Sequence, residues 1–426
     1  MTAPQEVKTA LEKKFPAILK DKIVMAADNY IWAEPISSDN FCEVIDFTVT
    51  YLGFNRLHMM TEDSIDGAAL IIYALSDSSD NMLVLKQTSS ADTPFMCSVS
   101  SLFGNIETCE REITARSAIQ FDDNKISLAS KLFIFDNTYS GHTYAEILDI
   151  IERSGDTSPH NTASCYAAAA EFLVGITPPP RAKYIRVLFA ESERLHNHLL
   201  SLALLFRDRG FDALFRTVLS DREFFLDAVC KLGGSRMIYG MNALGGVSRD
   251  AASLALINMS QAVDELNRRL KQYSKNSGNN NDGDKQAQKR KIFNPIRIFN
   301  NYLYTEAADG ATEVFDPRKS FPYSAYAEIP FAAIQHDCTN PQSLLAEMRE
   351  SLHIIRFILD HLPEGKVTVD FPAHVPAGES LSLCQAANGA ITVYIRSDGT
   401  DKPPKISLFT GTAYSMVEQT PIIKYV

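Results

Sequence analysis

Three side chains able to carry protons or charge stand on one stretch of the chain: Arg186, Glu193 and His196, separated by seven and then three residues. On an α-helix this spacing brings them to one face, while Leu188, Leu195, Leu199 and Phe206 fall largely on another. Such a double stripe has two readings. The charged face can lie in water and make weak ion pairs. Alternatively it lines an internal polar seam where one domain meets another chain, and its carboxylate and imidazole could pass protons. Upstream, Asp156, Ser158 and His160 in SGDTSPHNT add a second polar group. Downstream, KLGGSRMIYGMNALGGVSRD (Lys231 to Asp250) sets Arg236 and Arg249 beside two glycine pairs. Glycine pairs permit positive φ or close backbone approach, so this loop is expected to be tight and to lie near another surface. It lacks the strand-then-helix phosphate pattern and is not read as a nucleotide site.

These residues need long helices to hold them. The stretch from Arg181 to about Arg209 predicts one of about 40 Å at 1.5 Å per residue, entered through Pro178, Pro179 and Pro180. Tyr144 to Glu152 and the alanine-rich Thr162 to Val174 predict two more around a polar loop, and Ser343 to Leu362 another. The amino-terminal part is mixed. An amphipathic opening with Leu11, Phe15 and Ile18, and Phe41 to Leu52, read as helices; Ala68 to Ala74 and Asn81 to Lys86, bounded by Asp/Ser clusters, read as strands. Ile391 to Ile395 and the turn Ser397-Asp398-Gly399 make the end strand-rich. The fold class is therefore α+β: a small α+β domain over 1–122, then a mainly helical domain over 123–426 with a strand-rich carboxy-terminal part. A polar, low-complexity stretch, Ser277 to Lys291, reads as a solvated insertion spanning about 275–291.

Bulk properties exclude several functions. At 426 residues the chain exceeds one ordinary core, and its net charge of −11, with no basic stripe, argues against nucleic-acid binding. Its longest apolar runs fall short of the roughly 20 residues that cross a bilayer, so a membrane would be reached through a partner. The amino-terminal residues lack an apolar signal core, which places the chain in the cytoplasm. The seven cysteines, Cys42, Cys97, Cys109, Cys165, Cys230, Cys338 and Cys384, lie too far apart for a C-x-x-C hook. Reduced, buried thiols are the expectation.

TPPPRAKYIRVLFAESERLHNHLL (Thr177 to Leu200) followed by LGGSRMIYGMNALGGVSRD resembles the large subunit of energy-converting, formate-hydrogenlyase-type [NiFe] hydrogenases and the larger quinone-side subunit of complex I. SVSSLFGNIETCEREI (Ser98 to Ile113), with Glu110-Arg111-Glu112, is similar to complex I's smaller hydrophilic subunit, here fused in front. FDPRKSFPYSAY (Phe315 to Tyr326), EMRESLHIIRFIL and ANGAITVYIRSDG (Ala387 to Gly399) continue the resemblance in collinear order over nearly the whole chain.

The departures from that family concern its metal. Where the resemblance implies a Cys-Gly-x-Cys-Pro pattern, Gly155 stands at the first cysteine, Ser158 at the second, and Thr162 replaces a following histidine. Soft thiolates bridge nickel and iron; glycine has no donor and a serine hydroxyl is a poor soft-metal ligand. No second cysteine pair precedes the final TPIIKYV, and the family's proton-passing glutamate falls near Asp136. The resemblance thus implies a metal-free large subunit on the cytoplasmic side of a membrane, peripheral to it. Its expected partners are an iron-sulfur small subunit, docked through the spine helix and the two-glycine loop, and membrane subunits of the quinone-chamber and antiporter-like types. The chain itself is expected to bind no cofactor; an iron-sulfur cluster belongs to the partner, and a quinone could sit at the interface. Its candidate pocket is Asp156, Ser158, His160, Arg186, Glu193, His196, Arg236 and Arg249. A non-catalytic scaffold is the other expectation.

Overall fold

The computed structural model describes residues 3–27, 29–65, 67–77, 79, 81–89, 95–100, 102–103, 106–117, 119–121, 139–154, 157–277, 316–320, 324–334, 340–387 and 389–410. The fold is α+β, with an amino-terminal sheet, a central helical region and a carboxy-terminal three-stranded antiparallel sheet. Two compact units are present, the first holding the described residues up to 121 and the second those from 139 onward.

In the first unit, β1 (Ile23–Ala27), β2 (Tyr30–Ala33), β3 (Ile36–Ser37), β4 (Arg56–Ile65), β5 (Ala68–Ser76) and β6 (Met82–Thr88) form one sheet in the order β1-β2-β6-β5-β4, with β3 also pairing with β6. The near-continuous apolar run of β5, buried from Leu70 to Ser76, shows that both faces of the sheet are covered there. One cover is α3 (Ser38–Thr50), whose Phe41 stacks on Tyr73 with ring centroids 4.9 Å apart. The Asp/Ser-rich link between β5 and β6 closes because the Asp77 carboxylate accepts from the backbone N–H of Ser79 and Asn81 and from the Asn81 side chain. The predicted opening helix divides at Phe15 into α1 (Pro4–Lys14) and α2 (Pro16–Leu19), since proline at 16 cannot donate to the preceding turn. The short strands β7 (Phe95–Met96) and β8 (Gln120–Phe121) pair in parallel, and α4 (Ile106–Arg116) carries Glu110, fully buried, which accepts from Ser98 Oγ and the Val99 N–H.

One cysteine expectation is corrected by this unit. Cys42 and Cys97 are paired as a disulfide with Cα atoms 6.1 Å apart, because α3 brings Cys42 against the segment after β7. Wide separation in sequence had said nothing of this. Cys109, Cys165, Cys230 and Cys384 are free thiols.

The second unit is built on α5 (Tyr144–Glu152), α6 (Pro159–Val174), α7 (Pro180–Asp208), α8 (Asp212–Gly233), α9 (Ser253–Ser277) and α10 (Pro341–His361). The predicted spine is α7, packed by α8 and α10 around a core that includes Leu188, Leu195, Leu199, Phe206, Phe225, Leu266 and Ile355. The strands β11 (Gly378–Ala386), β12 (Gly389–Ser397) and β13 (Lys405–Thr410) form an antiparallel sheet, and α6 lies against β11 and β12. Alanine makes that contact close: Ala167, Ala168, Ala169 and Ala170 are all buried. The hairpin of β9 (Asn242–Ala243) and β10 (Gly246–Val247) completes the unit.

The glycine loop behaves as its composition requires. Gly245 and Gly246 hold φ of 84° and 152°, and their backbone pairs with Val367 to Val369 through Val247 N–H to Val367 O at 2.9 Å and Val369 N–H to Gly245 O at 3.0 Å. A methyl group on either glycine would overlap a carbonyl oxygen of that segment. The helix α9 runs to Ser277, so the first residues of the expected insertion belong to that helix and the rest lies outside the described residues, as do Asp136, Gly155, Asp156 and Cys338.

Candidate functional site

The charged stripe of the spine is not solvated. Arg186, Glu193 and His196 are 5%, 1% and 1% exposed, so the water-facing reading fails and an internal polar arrangement stands in its place. Helix α6 packs its first turns across Glu193 and Arg186, while the His196 carbonyl accepts from Arg222 of α8.

The carboxylate of Glu193 caps α6. It accepts the backbone N–H of His160 at 2.9 Å, that of Asn161 at 2.9 Å, and the Asn161 side-chain amide at 2.7 Å. Ser158 occupies the N-cap position without a side-chain cap bond of its own, so a glutamate from another helix satisfies the orphan donors and places negative charge at the positive end of the helix dipole. Asn197 donates to the Thr157 carbonyl at 2.7 Å and to Ser158 Oγ at 3.4 Å, tying the same corner to the spine.

The His160 ring sits one layer deeper. Its Nε2 is 3.1 Å from the Arg186 carbonyl oxygen and its Nδ1 is 3.1 Å from Asn242 Nδ2, which fixes the tautomer with the proton on Nε2. Burial, with the Arg186 charge adding to it, lowers the imidazole to about 4, so the ring is neutral. Asn242 also donates to Glu152 Oε1 at 3.2 Å and accepts from Ser164 Oγ at 2.8 Å. Glu152 in turn accepts from the Gly240 N–H at 2.6 Å, and burial raises its carboxyl above the ordinary range.

Arg186 is saturated. Its guanidinium makes a two-point pair with Glu171, at 2.9 and 2.6 Å, and donates to the Ala243 and Gly246 carbonyl oxygens, each at 2.7 Å. The Gly245 N–H closes on Glu171 Oε1 at 2.7 Å. One buried ion pair thus carries α6, α7 and the glycine hairpin together.

On another side of α7 lies a second charged cluster. Glu191 accepts from Tyr326 OH and Ser351 Oγ, each at 2.6 Å, and from Arg318 Nη1 at 3.1 Å. Arg194 lies 3.4 Å from Glu191 and donates to Glu347 at 3.1 Å; His198 Nε2 is 3.2 Å from the same Glu347 oxygen. Arg318 also pairs with Asp316 at 2.6 Å. Burial opposes the charge of Glu191, but Arg318 and Arg194 overcome it and hold the carboxyl at about 2.

The candidates therefore separate. Ser158, His160, Arg186 and Glu193 share one network. His196 points elsewhere: burial, with Arg222 adding to it, lowers its imidazole to about 3, its Nδ1 has no hydrogen-bond partner among the described residues, and its carbonyl accepts from Arg222. Arg236 lies at the surface, paired with Asp227 at 2.7 Å and with Glu223. Arg249 donates to Met241 Sδ at 3.1 Å and to the Gly233 carbonyl. Neither arginine joins the network, because each is engaged by other partners, Arg236 by Asp227 and Glu223 and Arg249 by Met241 and Gly233.

Sequence reading missed Glu152, Glu171 and Asn242, and passed over Glu191, Arg194, His198, Asp316, Arg318, Tyr326 and Glu347. A signal existed for some. Glu171 is a lone charge closing an alanine run, and Asp316, Arg318, Tyr326 and Glu347 stand in segments whose order matched the resemblance.

Comparison with known proteins agrees with this architecture. Residues 208–374 match the family model described as respiratory-chain NADH dehydrogenase, 49 kDa subunit. The chain is 28% identical over 301 residues to a subunit of the F(420)H(2) dehydrogenase of Methanosarcina mazei, covering 66% of this chain and 78% of the relative. It is 26% identical over 266 residues to the carbon monoxide-induced hydrogenase of Rhodospirillum rubrum, covering 60% and 73%. A chain in the structure of the membrane-bound sulfane sulfur reductase, an archaeal respiratory membrane complex, shares the fold with a TM-score of 0.54 at 22% identity, over 68% of this chain and 82% of that one. The chain is thus similar to the complex I 49 kDa subunit family over part of its length, and to dehydrogenase and hydrogenase subunits.

Proposed function

We propose that this chain is a subunit of a complex I-related, membrane-bound respiratory oxidoreductase complex, and that it is a hydrogenase-like large subunit without a nickel-iron centre. One observation carries the reading: the helical core and its buried ion pairs are intact around α7, while the positions that would supply bridging thiolates read Gly155 and Ser158. Among the described residues no cluster of His, Cys, Asp and Glu fits that metal. Ser158 offers a hydroxyl already engaged by Asn197, and the free thiols Cys165 and Cys384 are hydrogen-bonded between α6 and β11.

In this reading electrons come from an iron-sulfur cluster in a partner subunit and pass to an acceptor such as a quinone at the interface, with ion movement in the membrane subunits. The chain sits peripherally on the cytoplasmic face; no described helix is long and apolar enough to cross a membrane. The docking surface lies elsewhere than the spine, since α7 from Tyr184 to Leu199 is buried within the chain itself and Gly245-Gly246 is occupied by residues 367–369.

The scaffold reading also has an observation in its favour. His160, Arg186 and Glu193 direct their hydrogen bonds to groups inside the chain, which suits a structural part as well as a reactive one. The native assembly separates the two. Electron transfer from its donor to a soluble quinone analogue, reduced at least tenfold by Glu193→Gln while native gels show the complex intact, supports the redox role. Unchanged turnover in that intact complex supports the scaffold. Stoichiometric nickel in the purified complex, traced to this chain, overturns the metal-free reading.

A further inference from the structure

Two free thiols that the network does not use meet in the interior. Cys165 on α6 and Cys384 on β11 are 0% and 2% exposed, and both lie in the contact between α6 and the carboxy-terminal sheet. Cys165 Sγ reaches Ser382 Oγ at 3.4 Å and the carbonyl oxygen of Ile391, the cross-strand partner of Cys384, at 3.7 Å, and Cys384 Sγ donates to the Asn161 carbonyl at 3.6 Å. Asn161 and Cys165 lie one helical turn apart on α6, and Ser382 and Cys384 share one face of β11, so the two sulfur atoms belong to a single packed layer. That layer adjoins the capped helix start, because Asn161 gives both its backbone N–H and its side-chain amide to Glu193.

We propose that Cys165 and Cys384 are a dithiol–disulfide site whose oxidation staples α6 to β11. The reaction is an exchange with a small-molecule disulfide. A protein thiolate attacks one sulfur of the reagent and releases one reagent thiol; the second protein thiolate then attacks the mixed disulfide and releases the other. One S–S bond is formed in the protein and one is broken in the reagent. The two protein thiol protons end on the two reagent thiols, and two electrons pass from the cysteines to the reagent.

Two consequences distinguish this site from an exposed redox cysteine. Burial first, and then the neighbouring Cys165, raise the Cys384 thiol, so the native reduced pair is slow to react and the exchange requires α6 and β11 to part or to form in the presence of oxidant. Once formed, the bond replaces the Cys384 tie to Asn161 and fixes the backbone on which Glu193 caps the helix. The staple also closes a long loop, which restricts the unfolded chain more than the folded one.

The test uses the full chain, unfolded in urea and refolded either in a reduced plus oxidised glutathione buffer or in dithiothreitol, then alkylated before and after a second unfolding. The expected result from the glutathione arm is a cross-linked peptide pair containing Cys165 and Cys384 and a Tm several degrees above the dithiothreitol arm. Cys384→Ala should abolish the cross-link while leaving Cys42–Cys97 linked. Cys165→Ser and Cys384→Ser, separately, should each leave the other thiol of the pair open to alkylation and remove the Tm difference that the pair contributes between the arms. Refolded protein with both thiols free in the glutathione arm overturns the proposal. So does glutathione bound to one of them as the end product.

Discussion

Arg186 on α7 and Glu171 on α6 form a two-point ion pair that is 6% and 0% exposed, and the glycine hairpin hangs on both partners. Each side chain would be costly alone in that interior. Arg186→Met therefore strands a buried carboxylate, and a loss of about 3–5 kcal/mol in unfolding free energy is expected. The double variant Arg186→Met with Glu171→Leu removes both charges and should be less damaging than the sum of the single changes. Urea denaturation of the four proteins in the cycle measures the difference, and simple additivity would contradict the pairing.

Glu193→Gln keeps shape and removes charge. The amide can accept one of the N–H donors of α6 but no longer offsets the dipole of the helix, and one of its own N–H groups would face the donors at His160 and Asn161. A loss of about 2 kcal/mol is expected. Amide hydrogen exchange should show it locally, with protection falling first at residues 160–163; uniform loss across the second unit would argue that Glu193 holds something other than the start of α6.

Acid should weaken the chain in two overlapping windows. His58, His160 and His196 are held neutral by burial, at about 3, 4 and 3. Below the ordinary value near 6.5 the unfolded chain takes up protons that the folded chain refuses, so stability falls as pH drops from about 6.5 toward 3. For His160 alone the shift amounts to about 3 kcal/mol. Glu191 works in the other window: its folded value near 2 lies below the ordinary carboxylate range, so its contribution is complete above about 4.5 and lost as pH falls toward 2. His160→Gln should lessen the loss that begins near pH 6.5 while leaving the share of His58 and His196, and Glu191→Gln should lessen only the loss below about pH 4.5, in chemical denaturation repeated from pH 7 to pH 3.

The glycine hairpin gives a conformational prediction. Gly246→Ala puts a methyl group into the carbonyl oxygen of Val367 and forces a side chain into positive φ, and both effects oppose the fold. A destabilisation of about 2 kcal/mol or more is expected. Gly240, also at positive φ but with open space around it, should cost only the conformational part on change to Ala, about 1 kcal/mol. Equal effects at both positions would show that packing against residues 367–369 contributes nothing.

What the residues determine by themselves is local. Tyr144–Glu152 is a helix with the bounds its spacing predicts, α7 differs from expectation by one residue at each end, and β5, β6 and β12 cover the apolar runs read as strands. Periodicity sees these elements because burial of one face follows the repeat of the backbone. It could also place Arg186 and Glu193 on one side of the spine, though not separate His196 from them, and read the second glycine pair as a close approach.

Which side of the stripe meets water is a different kind of question, since charge on a helix face looks the same in sequence whether it is solvated or paired inside. Only the packing of α6 across α7 decided that Glu193 caps a helix, that Arg186 finds Glu171, and that His160 stays neutral. The same holds for Cys42 with Cys97 and for the contact that brings Cys165 to Ser382 and Ile391 and Cys384 to Asn161, from distant parts of the chain. Local spacing fixes which atoms share a surface of one element; desolvation and pairing depend on the element laid against it, and that partner is chosen by the tertiary fold.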